Sequence, residues 1–253
     1  MKRTRFAIKA ICVASVIGCS ATTAIRAYAD GKEADPAAVA ALKEAHDKRE
    51  SFPASFTGVS AALTVADDAG EVHGTLKYSP AGELTIALTG ATQEQEKWAK
   101  EQLGSAFSHR KADDFSKGDG AGPLTFGPDD HSPLGKQILL NDKFNSCYRV
   151  KDGHIVQVTR QMGPSMKFTI TVTGDRNLPS GNYLPAQFTV TYFDASSGTI
   201  RKVDMFTDTF KKLGDAWVPS GRRVITAENG AFTTKAFKLE EIKVADTAGT
   251  VTK

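Results

Sequence analysis

The stretch that decides the fold runs from Phe188 to Val244 and reads FTVTYFDASSGTIRKVDMFTDTF, then KKLGDAWVPSGRRVITAENGAFTTKAFKLEEIKV. Its first apolar residues, Phe188, Val190 and Tyr192, recur at every second position, which places side chains on one face of a β-strand. The pair Asn229-Gly230 is a strong hairpin signal, because both residues tolerate the positive φ of a tight turn. The stretch therefore predicts an antiparallel meander of at least four strands.

Upstream segments show the same alternation. Three strands are predicted between residues 56 and 88, separated by turns at Asp67 and Pro80. After residue 123 the predicted strands are Leu124–Phe126, Leu134–Leu140, Asn145–Val150, Ile155–Met162 and Met166–Thr173. A loop is expected from Asp175 to Tyr183, because that segment is rich in Gly, Pro and Asn.

Two segments have helical periodicity instead. Asp35-Pro36 is a typical helix start, with Asp as the N-cap and Pro in the first turn, and the helix is predicted to end near Glu50. A capping-box pattern at Thr92 to Gln95 opens a second helix, which is predicted to end near His109. Its apolar stripe consists of Trp98, Ala99, Leu103, Ala106 and Phe107. We interpret the polar segment 111–123 as a mobile connection.

Together these patterns predict an α+β fold that is mostly antiparallel β. We expect a curled sheet or half-open barrel of about 11 strands, with an N-terminal helix and a second helix packed on one face. Residues 36–245 are predicted to form this single β-rich domain. Residues 246–253 are polar and are predicted to be a disordered tail.

The N-terminus has the pattern of a cleaved export signal. Met1–Arg5 is basic, Ala10–Val16 is apolar, and Ala27-Tyr28-Ala29 fits a cleavage site before Asp30. We therefore expect residues 1–29 to be removed, residues 30–35 to be a linker, and the protein to lie in the periplasm or cell envelope. No later stretch is long and apolar enough to span a bilayer.

A second interpretation of the leader remains open. Val16-Ile17-Gly18-Cys19 resembles the lipobox of bacterial lipoproteins, in which the cysteine is acylated and becomes the mature N-terminus. On that interpretation the protein is lipid-anchored through Cys19. The sequence does not decide between the free and the anchored form.

Net charge excludes some classes of partner. The sequence carries a formal charge of +3. Five basic residues and no acidic residue lie in the predicted leader, so the mature chain has a net charge of about −2. We therefore expect no nucleic-acid partner, because nucleic-acid binding requires a clear excess of basic residues.

Common catalytic and metal-binding motifs are missing from the sequence. It contains no GxSxG, HExxH or CxxC pattern, and Cys147 is the single cysteine after the leader. The five histidines are scattered along the chain. We therefore predict a protein that is not an enzyme and has no cofactor, metal site or catalytic residue. A hydrolase that uses His109 or His131 with a distant Asp is the weaker alternative.

Several motifs are similar to those of a bacterial family of unknown function. The similarity covers roughly residues 37–240. Its motifs are Trp98…Gln102-Leu103…His109-Arg110, Tyr148-x-Val150-x-Asp152 and Val158-x-Arg160-x-Met162-Gly163-Pro164. More loosely, the order of elements and Gly214-x-x-Trp217-x-Pro219 resemble the periplasmic lipoprotein-carrier fold, a half-open β-barrel with helices closing its mouth. This looser resemblance implies an apolar cavity for acyl chains and no defined chemistry.

The resulting hypothesis is an exported, non-enzymatic binder or carrier of a hydrophobic, lipid-like ligand. The predicted lining residues are Trp98, Leu103, Phe107, Arg160, Met162, Tyr192, Met205 and Trp217. Arg160 is in phase with Val156 and Val158, so it either anchors a ligand or extends to the solvent at the rim. The alternative function is an envelope protein-protein interaction module that uses a sheet edge or the tail. The sequence leaves open whether the sheet encloses a cavity or a packed core.

Overall fold

The computed structural model describes residues 33–245. The predicted export signal, its cleavage site between Ala29 and Asp30, Cys19 and residues 30–32 of the linker lie outside this range. The predicted tail at 246–253 also lies outside it.

Two α-helices and twelve strands make up the described part of the chain. The helices are α1 (Pro36–Asp47) and α2 (Gln93–Ser108). The strands are β1 (Val59–Asp67), β2 (Gly70–Tyr78), β3 (Leu84–Thr89), β4 (Thr125–Phe126), β5 (Lys136–Leu139), β6 (Cys147–Lys151), β7 (His154–Gln161), β8 (Met166–Asn177), β9 (Tyr183–Asp194), β10 (Ile200–Leu213), β11 (Ala216–Glu228) and β12 (Ala231–Val244).

All twelve strands form one sheet in the order β3-β2-β1-β12-β11-β10-β9-β8-β7-β6-β5-β4. Every neighbouring pair is antiparallel, so the sheet is two meanders joined where β1 pairs with β12. The sheet is curled and does not close, and β3 and β4 are its edges. The predicted fold class is confirmed, with one strand more than expected.

The helix starts follow the sequence signals. The Asp35 carboxylate accepts hydrogen bonds from the backbone N–H groups of Ala37 and Ala38 and caps α1. At α2, Thr92 accepts from the N–H of Gln95 and the Gln95 side chain accepts from the N–H of Thr92. This reciprocal pair is the predicted capping box.

The predicted hairpin turns are also present. Asn229 and Gly230 have φ values of 53° and 77° between β11 and β12. Asp152 and Gly153 have φ values of 53° and 74° between β6 and β7. Two consecutive positive φ values match the right-handed twist of the flanking strands, which is why Asn-Gly and Asp-Gly fix these hairpins.

The loop predicted at residues 175–183 is shorter than expected. Strand β8 continues to Asn177, which pairs with Tyr183 at the start of β9. The register shifts on both sides of Gly174, so side chains lose strict alternation there while the strands remain paired. Because the bulge interrupts the alternation, the sequence pattern predicts that β8 ends before Asn177.

Both helices pack on the same face of the sheet, which we call the inner face. Helix α1 contacts β4, β6 and β7, and α2 contacts β1, β3 and β11. Directly paired residues share a face. One row of such pairs runs across the sheet through Tyr148, Val158, Ile170 and Val190. It begins in the core under α1 and ends in the cluster that contacts Trp98 of α2, so both helices lie on the same face.

Two solid cores lie under the helices. The core under α2 includes Leu63, Leu76, Leu103, Phe107 and Phe237, and the core under α1 includes Leu42, Leu124, Ile138 and Tyr148. Between residues 33 and 245, no helix is both long and apolar enough to cross a membrane.

Candidate binding surface on the inner face

A third apolar cluster lies on the inner face between the two helices. Its floor, which we call the central surface, comes from β8, β9 and β10 and consists of Phe168, Ile170, Phe188, Val190, Tyr192 and Phe206. Trp98 of α2 and Met162 pack against this cluster. Ile170, Phe188 and Tyr192 are only half-buried, so part of the central surface remains accessible.

The central surface follows from strand alternation. Phe188 pairs directly with Val172 on one side and with Phe206 on the other, so their side chains lie in one row. The rings of Phe188 and Phe206 are stacked, with centroids 4.6 Å apart and an interplanar angle of 8°. This stacking gives the surface a flat aromatic centre.

On the α1 side, the central surface borders a buried polar group of three residues. Arg160 Nη2 donates to Asp119 Oδ1 at 3.0 Å and to the Tyr148 hydroxyl, which itself donates to the same carboxylate oxygen at 2.9 Å. Burial raises the pKa of Tyr148, and the negative charge of Asp119 raises it further. Burial opposes the charge of Arg160, but Tyr148 and Asp119 raise its pKa overall. The positive charge is therefore neutralised within the protein.

Asp119 belongs to the segment at 111–123, which the sequence suggested to be a mobile connection and which contacts the protein through Phe115 and Asp119. Phe115 begins a short 3-10 turn in this segment and is buried in the core under α1. The segment is predicted to be mobile because it is rich in Asp and Gly, and that prediction gives no weight to the buried side chain of Phe115.

On the other side the central surface borders Asp204, which is buried. The carboxylate accepts from Lys202 at 2.8 Å and from the Thr226 hydroxyl at 2.7 Å. The Lys202 ammonium also lies 4.4 Å from the centroid of the Tyr192 ring. Burial raises the pKa of Tyr192, and its hydrogen bond and proximity to Asp204 add to that increase.

A second buried ion pair ties α2 to the sheet. Arg222 binds both carboxylate oxygens of Asp208, with its Nε at 2.7 Å and its Nη2 at 2.6 Å. Its Nη1 donates to the side chains of Gln102 and Ser105 on α2. The guanidinium also lies over the Phe206 ring, 5.2 Å from its centroid. Bidentate geometry of this kind fixes both partners strongly.

His109 lies at the C-terminal end of α2, next to this ion pair. Its pKa is lowered to about 4, because the surrounding protein limits hydration of the charged form and Arg222 repels it. Its Nδ1 is 3.5 Å from the Ser105 hydroxyl. Among residues 33–245, no carboxylate bonds to this histidine, so the geometry of the weaker hydrolase hypothesis is not formed at His109. His131 is exposed, and its Nδ1 lies 3.5 Å from Oδ1 of Asp129.

Six of the eight predicted lining residues lie on the inner side of the sheet. Trp98, Met162 and Tyr192 gather at the third cluster. Arg160 stands at its border, as described above. Leu103 and Phe107 instead lie fully buried in the core under α2, where they fill space between helix and sheet.

The structure does not bring the other two residues to this surface. Met205 lies between the inner-facing Asp204 and Phe206, so it points to the opposite, outer face. Trp217 lies between Ala216 and Val218, which are buried in the core under α2, and the Arg176 guanidinium is 4.3 Å from its ring centroid.

Sequence reasoning missed several residues of the surface and its borders. They are Asp119, Phe168, Asp204, Phe206, Asp208 and Arg222. A usable signal existed in β10, where Asp204, Phe206 and Asp208 keep the period of two that marks one strand face. No such signal existed for Asp119, because only tertiary packing brings its loop to Arg160.

One cavity lies away from the central surface and a second lies beside it. One, of about 210 Å³, is lined by residues that include Phe56, Leu213 and Val244. The other, of about 370 Å³, is lined by residues that include His154, Val172 and Asp175, and there His154 Nδ1 lies 2.7 Å from Asp175 Oδ2. Val172 lies in one row with Phe188 and Phe206, so the second cavity adjoins the central surface.

A protein-family model described as Protein of unknown function (DUF3386) matches residues 33–245. This finding confirms the resemblance to a family of unknown function. A search of the curated proteins gives no match.

Solved structures give weak similarities. A structure described as an outer membrane lipoprotein-sorting protein domain from Vibrio parahaemolyticus is 9% identical, with 85% of this chain and 94% of that chain covered and a TM-score of 0.32. A MucA/MucB complex of Pseudomonas aeruginosa is 10% identical, with 83% and 99% covered and a TM-score of 0.21. The first is the class of protein that the looser sequence resemblance indicates. TM-scores this low establish no relationship, and nothing about function follows from them.

Proposed function

This chain belongs to the protein family of unknown function DUF3386, and we propose that it is a non-enzymatic protein that binds an extended apolar ligand, such as an acyl chain, on its central surface. The observation that carries the proposal is that Ile170, Phe188 and Tyr192, on strands between the two helices, are only partly buried. Burial of a ligand there would contribute roughly 0.8 kcal/mol for each methylene group removed from water.

The dimensions of the sheet explain why such a surface exists. Twelve strands at a spacing of about 4.8 Å span roughly 50 Å along the curl. Along this width α2 contacts strands from β3 to β11 and α1 contacts strands from β4 to β7, so only β8, β9 and β10 lie between the helices. On these strands Ile170, Phe188 and Tyr192 are only partly covered, whereas Phe168, Val190 and Phe206 are buried.

Charge pairing defines which part of a ligand would be recognised. Arg160 is paired with Asp119, Lys202 with Asp204 and Arg222 with Asp208. Since each of these three cations already has a carboxylate partner, none is free to bind an anionic headgroup. The proposed interaction is with the apolar chain of the ligand, and the headgroup would remain in solvent.

The proposal includes a location in the cell envelope. Its support is the predicted export signal in residues 1–29, with Cys19 acylation as the alternative form. An open apolar surface of this kind suits a protein that meets lipid outside the cytoplasm.

The two tryptophans allow a direct test. Trp98 packs against the central-surface cluster and Trp217 does not, and the sequence has no other tryptophan. In a Trp217→Phe variant, a dibrominated stearic acid should quench the remaining Trp98 fluorescence saturably, because bromine quenches only at contact. The matched Trp98→Phe variant should show little quenching.

A further variant locates the ligand. Phe188→Ser in the Trp217→Phe background removes an aromatic contact with the ligand. It should raise the ligand concentration needed for half-maximal quenching of Trp98 by at least about fivefold. The proposal would be wrong if Trp98 and Trp217 were quenched equally in the two single-tryptophan variants, or if Trp98 were not quenched at all.

The edge strand β3 supports a second candidate function, docking of a protein strand. Its six residues, Leu84 to Thr89, contain no charge and no proline, and β2 is their single strand partner in the sheet. Such an edge is suited to β-strand addition. Ala87→Lys would place a charge on this edge and weaken pairing by an incoming extended peptide, and a pull-down from envelope extract that is unchanged by this substitution would argue against the candidate.

A further inference from the structure

The outer face of the sheet carries an apolar patch of its own. Cross-strand pairing places Val203 beside Ala227 and Ala227 beside Phe232. In the same way Met205 pairs with Ile225, and Ile200 pairs with Phe193. We call these neighbours the outer patch, which consists of Phe193, Ile200, Val203, Met205, Ile225 and Phe232.

Two residues of the outer patch are strongly exposed, and the other four are partly buried. Phe232 is 72% exposed and Ile200 is 58% exposed. They are two of the three large apolar residues that stand out as exposed between residues 33 and 245; the third is Val244, at 52%. Both helices pack on the inner face, so neither covers the patch. Grouped exposed apolar side chains of this kind mark interaction sites.

Free positive charges border the patch. Lys167 pairs across strands with Phe193, and Arg223 lies two residues before Ile225 on the same face. Both side chains are exposed, and within residues 33–245 neither forms a salt bridge. The nearby carboxylate of Asp194 is already bound by Arg201 and by Ser196. The patch is therefore apolar at its centre and positive at its border.

We propose that the outer patch docks the protein onto an anionic lipid bilayer. Apolar side chains beside unpaired basic residues match the layered structure of such a surface, with acyl chains below and phosphates above. A protein partner fits less well. The outer face of a curled sheet is convex, which limits the area that a protein partner could bury against it.

This docking goes beyond the proposed function. It uses the outer face and does not depend on ligand binding at the central surface. The overall charge of the chain does not predict it, because the two free cations matter through their position beside the patch.

Insertion can be measured with one fluorescent reporter. In a full-length chain carrying Trp98→Phe and Trp217→Phe, Phe232→Trp places the reporter in the patch. Vesicles of brominated phosphatidylcholine with phosphatidylglycerol should quench it strongly. The matched control is Val244→Trp in the same background, since Val244 is similarly exposed at the other end of β12 and should be quenched little.

The charge contribution has a separate readout. Lys167→Gln with Arg223→Gln should lower the vesicle partition coefficient roughly tenfold at low salt, because each basic residue near an anionic surface adds to binding. Added salt should reduce vesicle binding by the unsubstituted protein. It should therefore bring the partition coefficients of the unsubstituted protein and the double variant closer together. Both substitutions are at exposed positions, so the fold should be retained.

Two results would overturn the proposal. One is the absence of quenching at position 232, or quenching equal to that at position 244. The other is a concentration-dependent dimer in sedimentation equilibrium that Phe232→Ser abolishes, which would identify a second copy of the chain as the occupant of the patch.

Discussion

The inner face beneath α2 and the inner face between the two helices are built from similar residues but are covered differently. Beneath α2, Leu63 of β1 and Phe237 of β12 are buried against Leu103 and Phe107 of the helix. Between the helices, Phe188 and Tyr192 project from the same face and stay half-buried. The comparison shows that apolar residues of the inner face are less completely covered where no helix lies over them, and the proposed ligand would bind there.

The largest effect is expected beneath α2. Phe107→Ala should lower the free energy of unfolding by about 3–5 kcal/mol, because it removes a fully buried ring and leaves a cavity. Urea denaturation would show a lower midpoint with little change in slope. A loss below about 1 kcal/mol would mean that the region under α2 is as loosely packed as the region between the helices.

The ion pair between these regions should come next. Asp208→Ala should cost about 3 kcal/mol, because it leaves the buried Arg222 charge without its partner. The double variant Asp208→Ala with Arg222→Met should recover most of this loss, since it removes both charges. If the double variant is no more stable than the single one, the pair matters for packing rather than for charge compensation.

A smaller loss of stability is expected on the central surface. Phe188→Ala should lower the free energy of unfolding by about 1–2 kcal/mol, because the ring is only partly buried in the native protein. The same variant should weaken binding of a fluorescent acyl probe several-fold. Leu103→Ala is the matched control. Compared with Phe188→Ala, it should lower the free energy of unfolding more and weaken binding of the probe less. If Phe188→Ala lowers stability as much as Leu103→Ala, the central surface is core.

The smallest effect concerns pH. His109 has a pKa of about 4 in the folded protein and 6.5 as its ordinary value, so the unfolded chain binds more protons between these values. The free energy of unfolding should therefore fall as the pH drops through this range. His109→Gln should reduce the slope between about pH 7 and about pH 5, and an unchanged slope would show that other groups determine it.

Much of the local structure was predictable, because its signals lie within a few residues. The caps at Asp35 and Thr92 and the turn at Asn229-Gly230 each depend on side-chain and backbone geometry within one turn. The alternation of Phe188, Val190 and Tyr192 correctly indicated one strand face. Where a bulge interrupts alternation at Gly174, the same reasoning ended β8 too early.

The candidate site was predicted only in part. Trp98, Arg160, Met162 and Tyr192 do gather at or beside the central surface. Met205 could not be assigned to a face by its type, because an adaptable apolar residue suits either side. Its one-residue offset from Asp204 and Phe206 was present in the sequence, but only the structure showed which set is inward.

The sequence by itself determined the strands, the two helices with their caps, and the positions of most hairpins, since these depend on local periodicity and turn chemistry. Tertiary structure alone decided that β1 pairs with β12, that the loop carrying Asp119 folds back to Arg160, and that β8 to β10 lie between the helices. The physical reason is distance along the chain. Val65 and Phe237 pair across more than half of the sequence, and no local pattern reports which of many compatible strands will meet.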